Sequence, residues 1–219
     1  MWLGELSLIQ KISVSIIPIL FAVVLHEVAH GWVARYCGDN TAWQQGRLSL
    51  NPLKHIDPIG TILVPLLLLV TVGFIFGWAK PVPINWSHLR HPRRDIVLVA
   101  AAGPAANLLM ALFWAMTLKI AISLPPGIEW VARPLLYMGT IGIFANIILM
   151  VFNLLPLPPL DGGRIATILL PHPWGMYLSR VEPYGFFIII GLLATGILSA
   201  ILAPAIGKMT MLIQALVGL

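Results

Sequence analysis

Charge is scarce in this chain. Asp, Glu, Lys and Arg make up 10% of its 219 residues, where a soluble domain carries about 25%. That excludes an ordinary water-soluble globule. Acidic residues are the scarcer sign, 8 against 13 Lys and Arg. In a membrane protein such a basic excess belongs to cytoplasmic loops rather than to a nucleic-acid surface, so no nucleic-acid partner is expected. Cysteine is nearly absent too. Cys37 stands alone, so no internal disulfide can form. Residues 1–5 lack a basic n-region and a small-residue cleavage site. The first helix is therefore expected to be retained rather than removed as a signal.

What the chain has instead is apolar sequence. Hydrophobic residues reach 59% and the mean hydropathy is +0.93. Spans of about 20 residues each would consume most of the length. The expected fold is an all-α polytopic membrane protein, a single membrane-embedded domain over 1–219. It would be a bundle of about five hydrophobic helices plus a re-entrant segment and a short strand region. The helices are expected near 6–36, 95–124, 134–155 and 184–202, with a short helix at 164–170. Gly38-Asp39-Asn40 should end the first helix, and Pro204 the last span. Residues 41–50 could hold one or two strands. Residues 79–85, punctuated by Pro81 and Pro83, read as an extended strip.

One stretch of the first apolar run carries chemistry. His26-Glu27-Val28-Ala29-His30 is a His-Glu-x-x-His pattern. Positions four apart share a helix face, so both imidazoles can address one metal ion with Glu27 beside it. This is the layout of a zinc hydrolase, with two ligands, a carboxylate base and an open position for water. The competing reading is a helix end where three polar residues meet water. Ionisable groups at such depth are expensive, which favours the functional reading.

A catalytic zinc site needs a third protein ligand. Asp161 follows the proline-rich break Pro156-Leu157-Pro158-Pro159. Irregular backbone at membrane depth is tolerated where it lines a protein or water cavity. An ordinary Asp-Gly surface turn is an equally good reading of that residue alone. Topology weighs the two. If 59–78 crosses the membrane, Asp161 ends opposite the histidines. If it dips in and returns, Asp161 joins them. With re-entry, Arg35, Arg47, Lys54, Lys80, Arg90, Arg93, Arg94, Arg164 and Arg180 share the motif's side, and Lys11, Lys119 and Arg133 lie opposite. The positive-inside rule prefers that arrangement and makes the motif's side cytoplasmic.

Three motifs together resemble the site-2 proteases. They are His26-Glu27-x-x-His30, then Gly103-Pro104-Ala105-Ala106-Asn107, then Asn153-Leu154-Leu155-Pro156-x-Pro158-x-Leu160-Asp161-Gly162-Gly163-Arg164. Their order and spacing match, and the likeness covers roughly residues 10–175. The resemblance implies an intramembrane zinc metalloprotease that cuts transmembrane segments of other proteins, of the small prokaryotic branch without PDZ or CBS domains. It implies one Zn²⁺ held by His26, His30 and Asp161, and Glu27 as the catalytic residue. It also implies Asn153 and Asn107 as substrate contacts, and a multi-pass protein of the cell membrane with its site near the cytoplasmic face. A non-proteolytic zinc-binding protein or transporter is the alternative. The oligomeric state is not legible. His55 and Asp57 could orient the ligand histidines, although such a pair more often sits in a turn. The 41–50 and 79–85 stretches could offer edge hydrogen bonds to an unwound substrate.

Overall fold

The computed structural model describes residues 6–64, 66–67, 70 and 77–219. Among the described residues the fold is carried by helices α1 Leu8–Tyr36, α2 Thr41–Gln44, α3 Pro92–Ser123, α4 Glu129–Asn153, α5 Asp161–Leu169, α6 Trp174–Ser179, α7 Gly185–Ala194 and α8 Ile197–Val217. Five stretches among the described residues are long and apolar enough to cross a membrane: Ile9–Tyr36, Pro92–Ser123, Glu129–Asn153, Trp174–Ala194 and Ile197–Val217. At 1.5 Å per residue, α1 is about 44 Å long, more than the roughly 30 Å hydrocarbon core. The outward residues are large and apolar along the helices, such as Ile12, Leu109, Phe113 and Leu212. Water would penalise that surface and lipid does not. The chain is a multi-pass, all-α membrane protein.

Helices α1, α3 and α4 pack against one another as the central trio. Small residues let them approach. A Cβ at Gly142 would overlap the Trp114 ring, and one at Gly139 would press on Leu118. Around that contact Ala111, Trp114, Ala115, Leu118, Ile143 and Ile147 form a buried core, which Ile213 of α8 joins. Lipid gives no hydrophobic drive between helices, so close backbone approach of this kind supplies the packing.

The excursion between α1 and α3 returns to where it began. The Arg90 N–H bonds the Cys37 carbonyl at 3.0 Å, and His30 on α1 reaches Val99 on α3. Residues 38–89 therefore start and finish at one end of the bundle, as a dip requires. Part of the expected re-entrant segment 59–78 lies outside the described residues. Its start is a π-helical turn, Pro58–Leu63, capped by the Asp57 carboxylate on the Ile59 and Gly60 N–H groups.

Three expectations need correcting. Residues 41–50 form no strand. Asp39 accepts from the Thr41 N–H and hydroxyl, which starts the α2 turn, and no strand occurs among the described residues. The last span does not break at Pro204. It breaks at Gly196, whose φ of +74° suits glycine, and Pro204 sits inside α8. The short helix begins at Asp161 rather than at residue 164.

Candidate metal centre

Two elements deliver the site. His26 and His30 lie one turn apart on α1, and Asp161 opens α5 just beyond the end of α4. Asp161 Oδ2 is 3.3 Å from His26 Nε2 and 3.4 Å from His30 Nε2. The two Nε2 atoms are 3.1 Å apart. The histidines are each 7% exposed, so the cluster lies inside the bundle.

The hydrogen bonds behind the rings fix what faces the centre. The Val99 carbonyl can only accept, so His30 Nδ1, 2.7 Å away, donates to it. His26 Nδ1 lies 2.6 Å from Asn107 Oδ1. The Asn107 amide cannot be turned round, because its Nδ2 donates to the Ala22 carbonyl at 3.0 Å and to Asn146 Oδ1 at 2.9 Å. Asn146 is oriented in turn by its own Nδ2 bond to the Gly142 carbonyl. His26 Nδ1 is therefore also a donor. A neutral imidazole has one N–H, so both Nε2 atoms present bare lone pairs. Asp161 Oδ2 is buried and has no hydrogen-bond donor.

With both rings neutral, three acceptor atoms thus converge within 3.4 Å. That arrangement repels itself unless a cation sits among them. Tetrahedral zinc, with bonds of about 2.0–2.1 Å, separates its ligand atoms by about 3.3 Å, which this triangle matches. Among the described residues no other group of three His, Cys, Asp or Glu side chains converges this way. Second-sphere bonds of this type set ligand tautomer and basicity.

Glycine makes room for the cluster. A Cβ at Gly103 would overlap the Nε2 atoms of both histidines, so α3 can pass behind the site only as glycine. Gly162 and Gly163 are helical residues without positive φ. They are needed for contact rather than for a bend. A Cβ on either would strike the backbone of Leu154–Leu155 or of Leu157–Pro158, and that contact seats Asp161.

Glu27 lines a cavity of about 590 Å³ together with His26 and Asn153. The cavity is walled mostly by apolar groups such as Leu20, Val23, Leu149 and Phe152. Glu27 Oε2 accepts from the Val82 N–H at 2.8 Å, so the extended strip holds the carboxylate. A carboxylate has about four lone-pair sites, and this bond leaves capacity for a proton. Gly31 admits Val82 at this contact, since a Cβ there would overlap Val82 and Leu48.

Other sequence candidates fall elsewhere. Asn107, expected to touch substrate, is fully buried and its amide is committed to His26, Ala22 and Asn146. Asn153 lies in the cavity wall. Its Nδ2 donates to the Leu149 carbonyl, leaving Oδ1 uncommitted. His55 and Asp57 do not touch the ligand histidines, whose Nδ1 atoms already have partners. Asp57 caps the following turn and His55 contacts the Ser49 carbonyl. The strip 79–85 has little to offer as a strand edge. Its Lys80 and Val82 N–H groups are taken by the His55 carbonyl and Glu27, and Pro81 and Pro83 have none. The residue that sequence reading missed is Asn146. An asparagine inside an apolar span was the available signal.

Comparison with known proteins agrees with this site. The sequence model of peptidase family M50 matches residues 128–195, the stretch that contains Asn153 and Asp161. "Putative zinc metalloprotease YwhC" of Bacillus subtilis is 41% identical over 194 residues, covering 86% of this chain and 84% of that protein. "Putative zinc metalloprotease Rip2" of Mycolicibacterium smegmatis is 31% identical over 178 residues, 80% of this chain and 64% of that protein. The Rip2 of Mycobacterium tuberculosis H37Rv is 28% identical over 153 residues, 70% of this chain and 54% of that protein. No solved structure matches. With such identity across most of both chains, and the family's own sequence pattern over the Asp161 region, this protein belongs to peptidase family M50, the site-2 type zinc metalloproteases.

Proposed function

We propose that this chain hydrolyses peptide bonds in or next to the transmembrane segments of other membrane proteins. One zinc ion per chain is held by His26, His30 and Asp161, and Glu27 is the general base. The observation that carries the reading is the convergence of two imidazole nitrogens from α1 and a carboxylate oxygen from α5 inside an apolar bundle, beside a carboxylate in the same cavity. Zinc, when bound, is a Lewis acid that brings the pKa of its water to about 7 and polarises a carbonyl.

The chain's own groups do the rest. The Val82 N–H fixes where Glu27 stands. Glu27 takes the proton of the attacking water and returns it to the leaving nitrogen. The apolar walls receive a hydrophobic segment and limit water to the site. A helical substrate hides its amides within its own hydrogen bonds, so it must unwind to be cut. The basic residues expected on the motif's side of the membrane support a site near the cytoplasmic face of the cell membrane.

The test is Glu27→Gln in purified protein reconstituted with a membrane-anchored substrate. The expected outcome is zinc content equal to wild type and cleavage lower by at least about 100-fold. Chelation should abolish wild-type cleavage, and added zinc should restore it. Normal turnover by the variant would remove Glu27 from the reaction. Zinc bound with no cleavage of any membrane substrate by wild type would favour a zinc-binding or transport role.

A further inference from the structure

The cavity wall contains a polar group that the mechanism above leaves unused. His55 is 3% exposed and lines the same cavity as Glu27 and Asn153. Its Nε2 lies 2.9 Å from the Ser49 carbonyl. A carbonyl accepts only, so Nε2 carries the proton, and neutral Nδ1 is a bare acceptor. That Nδ1 is buried and has no partner. An orphaned buried acceptor costs on the order of 1–3 kcal/mol, and such groups in native structures call for an explanation.

The surroundings say what would fill it. The Lys80 N–H bonds the His55 carbonyl at 2.8 Å, and the Val82 N–H bonds Glu27 at 2.8 Å. Side groups two residues apart on an extended strand share an edge. The His55 carbonyl and the Glu27 carboxylate therefore lie along one edge of the strip, about 7 Å apart by strand rise, and both residues line the cavity. An unwound substrate brings backbone N–H groups into this apolar space, and each must find an acceptor. The strip offers little on that edge, because its Lys80 and Pro81 carbonyls already accept from the Arg47 guanidinium.

We propose that His55 Nδ1 is a substrate-binding acceptor for a main-chain N–H of the unwound segment, close to the scissile bond. It acts with Asn153 in the same wall, whose Nδ2 is taken by the Leu149 carbonyl and whose Oδ1 remains to accept. The ligand class is extended polypeptide, recognised by its backbone rather than by a side chain. This assignment rests on the proteolytic reading above.

The test uses the reconstituted full-length protein and a fluorogenic peptide carrying one hydrophobic segment. Each backbone amide near the cleavage point is replaced in turn by an ester, which lacks the N–H. At one position the ester should raise KM by about tenfold in wild type and have no effect in His55→Leu. His55→Leu itself should raise KM about tenfold on the all-amide peptide. Its zinc content should match wild type, and its thermal stability should be unchanged or higher, because an orphaned buried acceptor has gone. His55→Asn, which retains an acceptor, should recover part of the loss. If no ester position distinguishes wild type from His55→Leu, or if KM is unchanged in that variant, the assignment is overturned while the proteolytic reading stands. If wild type cleaves nothing, that reading fails first. Loss of stability in His55→Leu with KM unaffected would make the residue a mere prop for Ser49.

Discussion

The trio α1, α3, α4 and the hairpin α7–α8 are held by different forces. Within the trio, buried amides and imidazoles form a continuous chain, Gly142–Asn146–Asn107–His26, with His30–Val99 beside it. The hairpin attaches by alkyl and aromatic packing. Ile189, Leu198 and Leu202 lie against Val151, Phe152, Leu155 and Leu160, and Lys119 bonds the Val217 carbonyl at its far end. Directional bonds fix positions closely, whereas packing tolerates slippage. The trio therefore sets how His26 and His30 stand toward Asp161, and the hairpin supplies wall, including Phe186 and Ile189 of the cavity.

The harshest way to break this contrast is Gly103→Ala. Its methyl would occupy the space of both Nε2 atoms, so zinc content should fall below about a tenth of wild type while the protein stays helical by circular dichroism. Full zinc loading would show that α3 can move away. Next comes Asn107→Leu, which leaves His26 Nδ1 without its acceptor and should weaken zinc binding by about 10–100-fold in chelator competition. Asn146→Leu should act through Asn107 and cost less. The double variant should bind zinc no worse than Asn107→Leu alone, because contacting residues in one network are not additive. Strict additivity would dissolve the chain into independent contacts.

Those amides also show where the sequence stopped being readable. His26, His30 and Asp161 were legible because the ligand pattern is local, and because charge counting chose between two topologies. Asn107 was legible as important but was given the wrong neighbour. Which side chain stands behind which histidine depends on how α3 and α4 rotate against α1, and no spacing along one helix encodes that. Gly162 and Gly163 illustrate the same limit. The motif sets two glycines beside Asp161, and only the packing of α5 on the Leu154–Pro158 backbone says why. Within 41–50, Asp39 bonds the Thr41 N–H and starts the helical turn Thr41–Gln44 where strand was expected.

A hairpin substitution should read out differently from the amides. Leu198 is 1% exposed, and Leu198→Ala should lower stability by about 2–5 kcal/mol in detergent unfolding with zinc affinity unchanged. Coupled loss of zinc would erase the contrast between trio and hairpin.

The smallest effect belongs to Asp39, outside the membrane-spanning helices. Burial pushes its carboxyl up, but bonds from the Thr41 hydroxyl, the Asn85 and Thr41 N–H groups and His88 outweigh that and hold it below the ordinary value. A depressed folded pKa contributes stability above the unfolded value of about 3.9. That stability is lost as pH falls through the folded value. The stability gap between wild type and Asp39→Asn should therefore be widest at neutral pH and shrink on acidification below about pH 4. A gap independent of pH would assign the Asp39 contribution to shape rather than to charge.

The bond between the Arg90 N–H and the Cys37 carbonyl acts like a drawstring at the neck of a pouch. Because that neck is tied, the parts of the pouch that do not touch α1 can change length at little thermodynamic cost, since closure entropy grows slowly with loop length. The same pouch carries Val82, whose N–H holds the Glu27 carboxylate, so its freedom to vary stops where it meets that side chain.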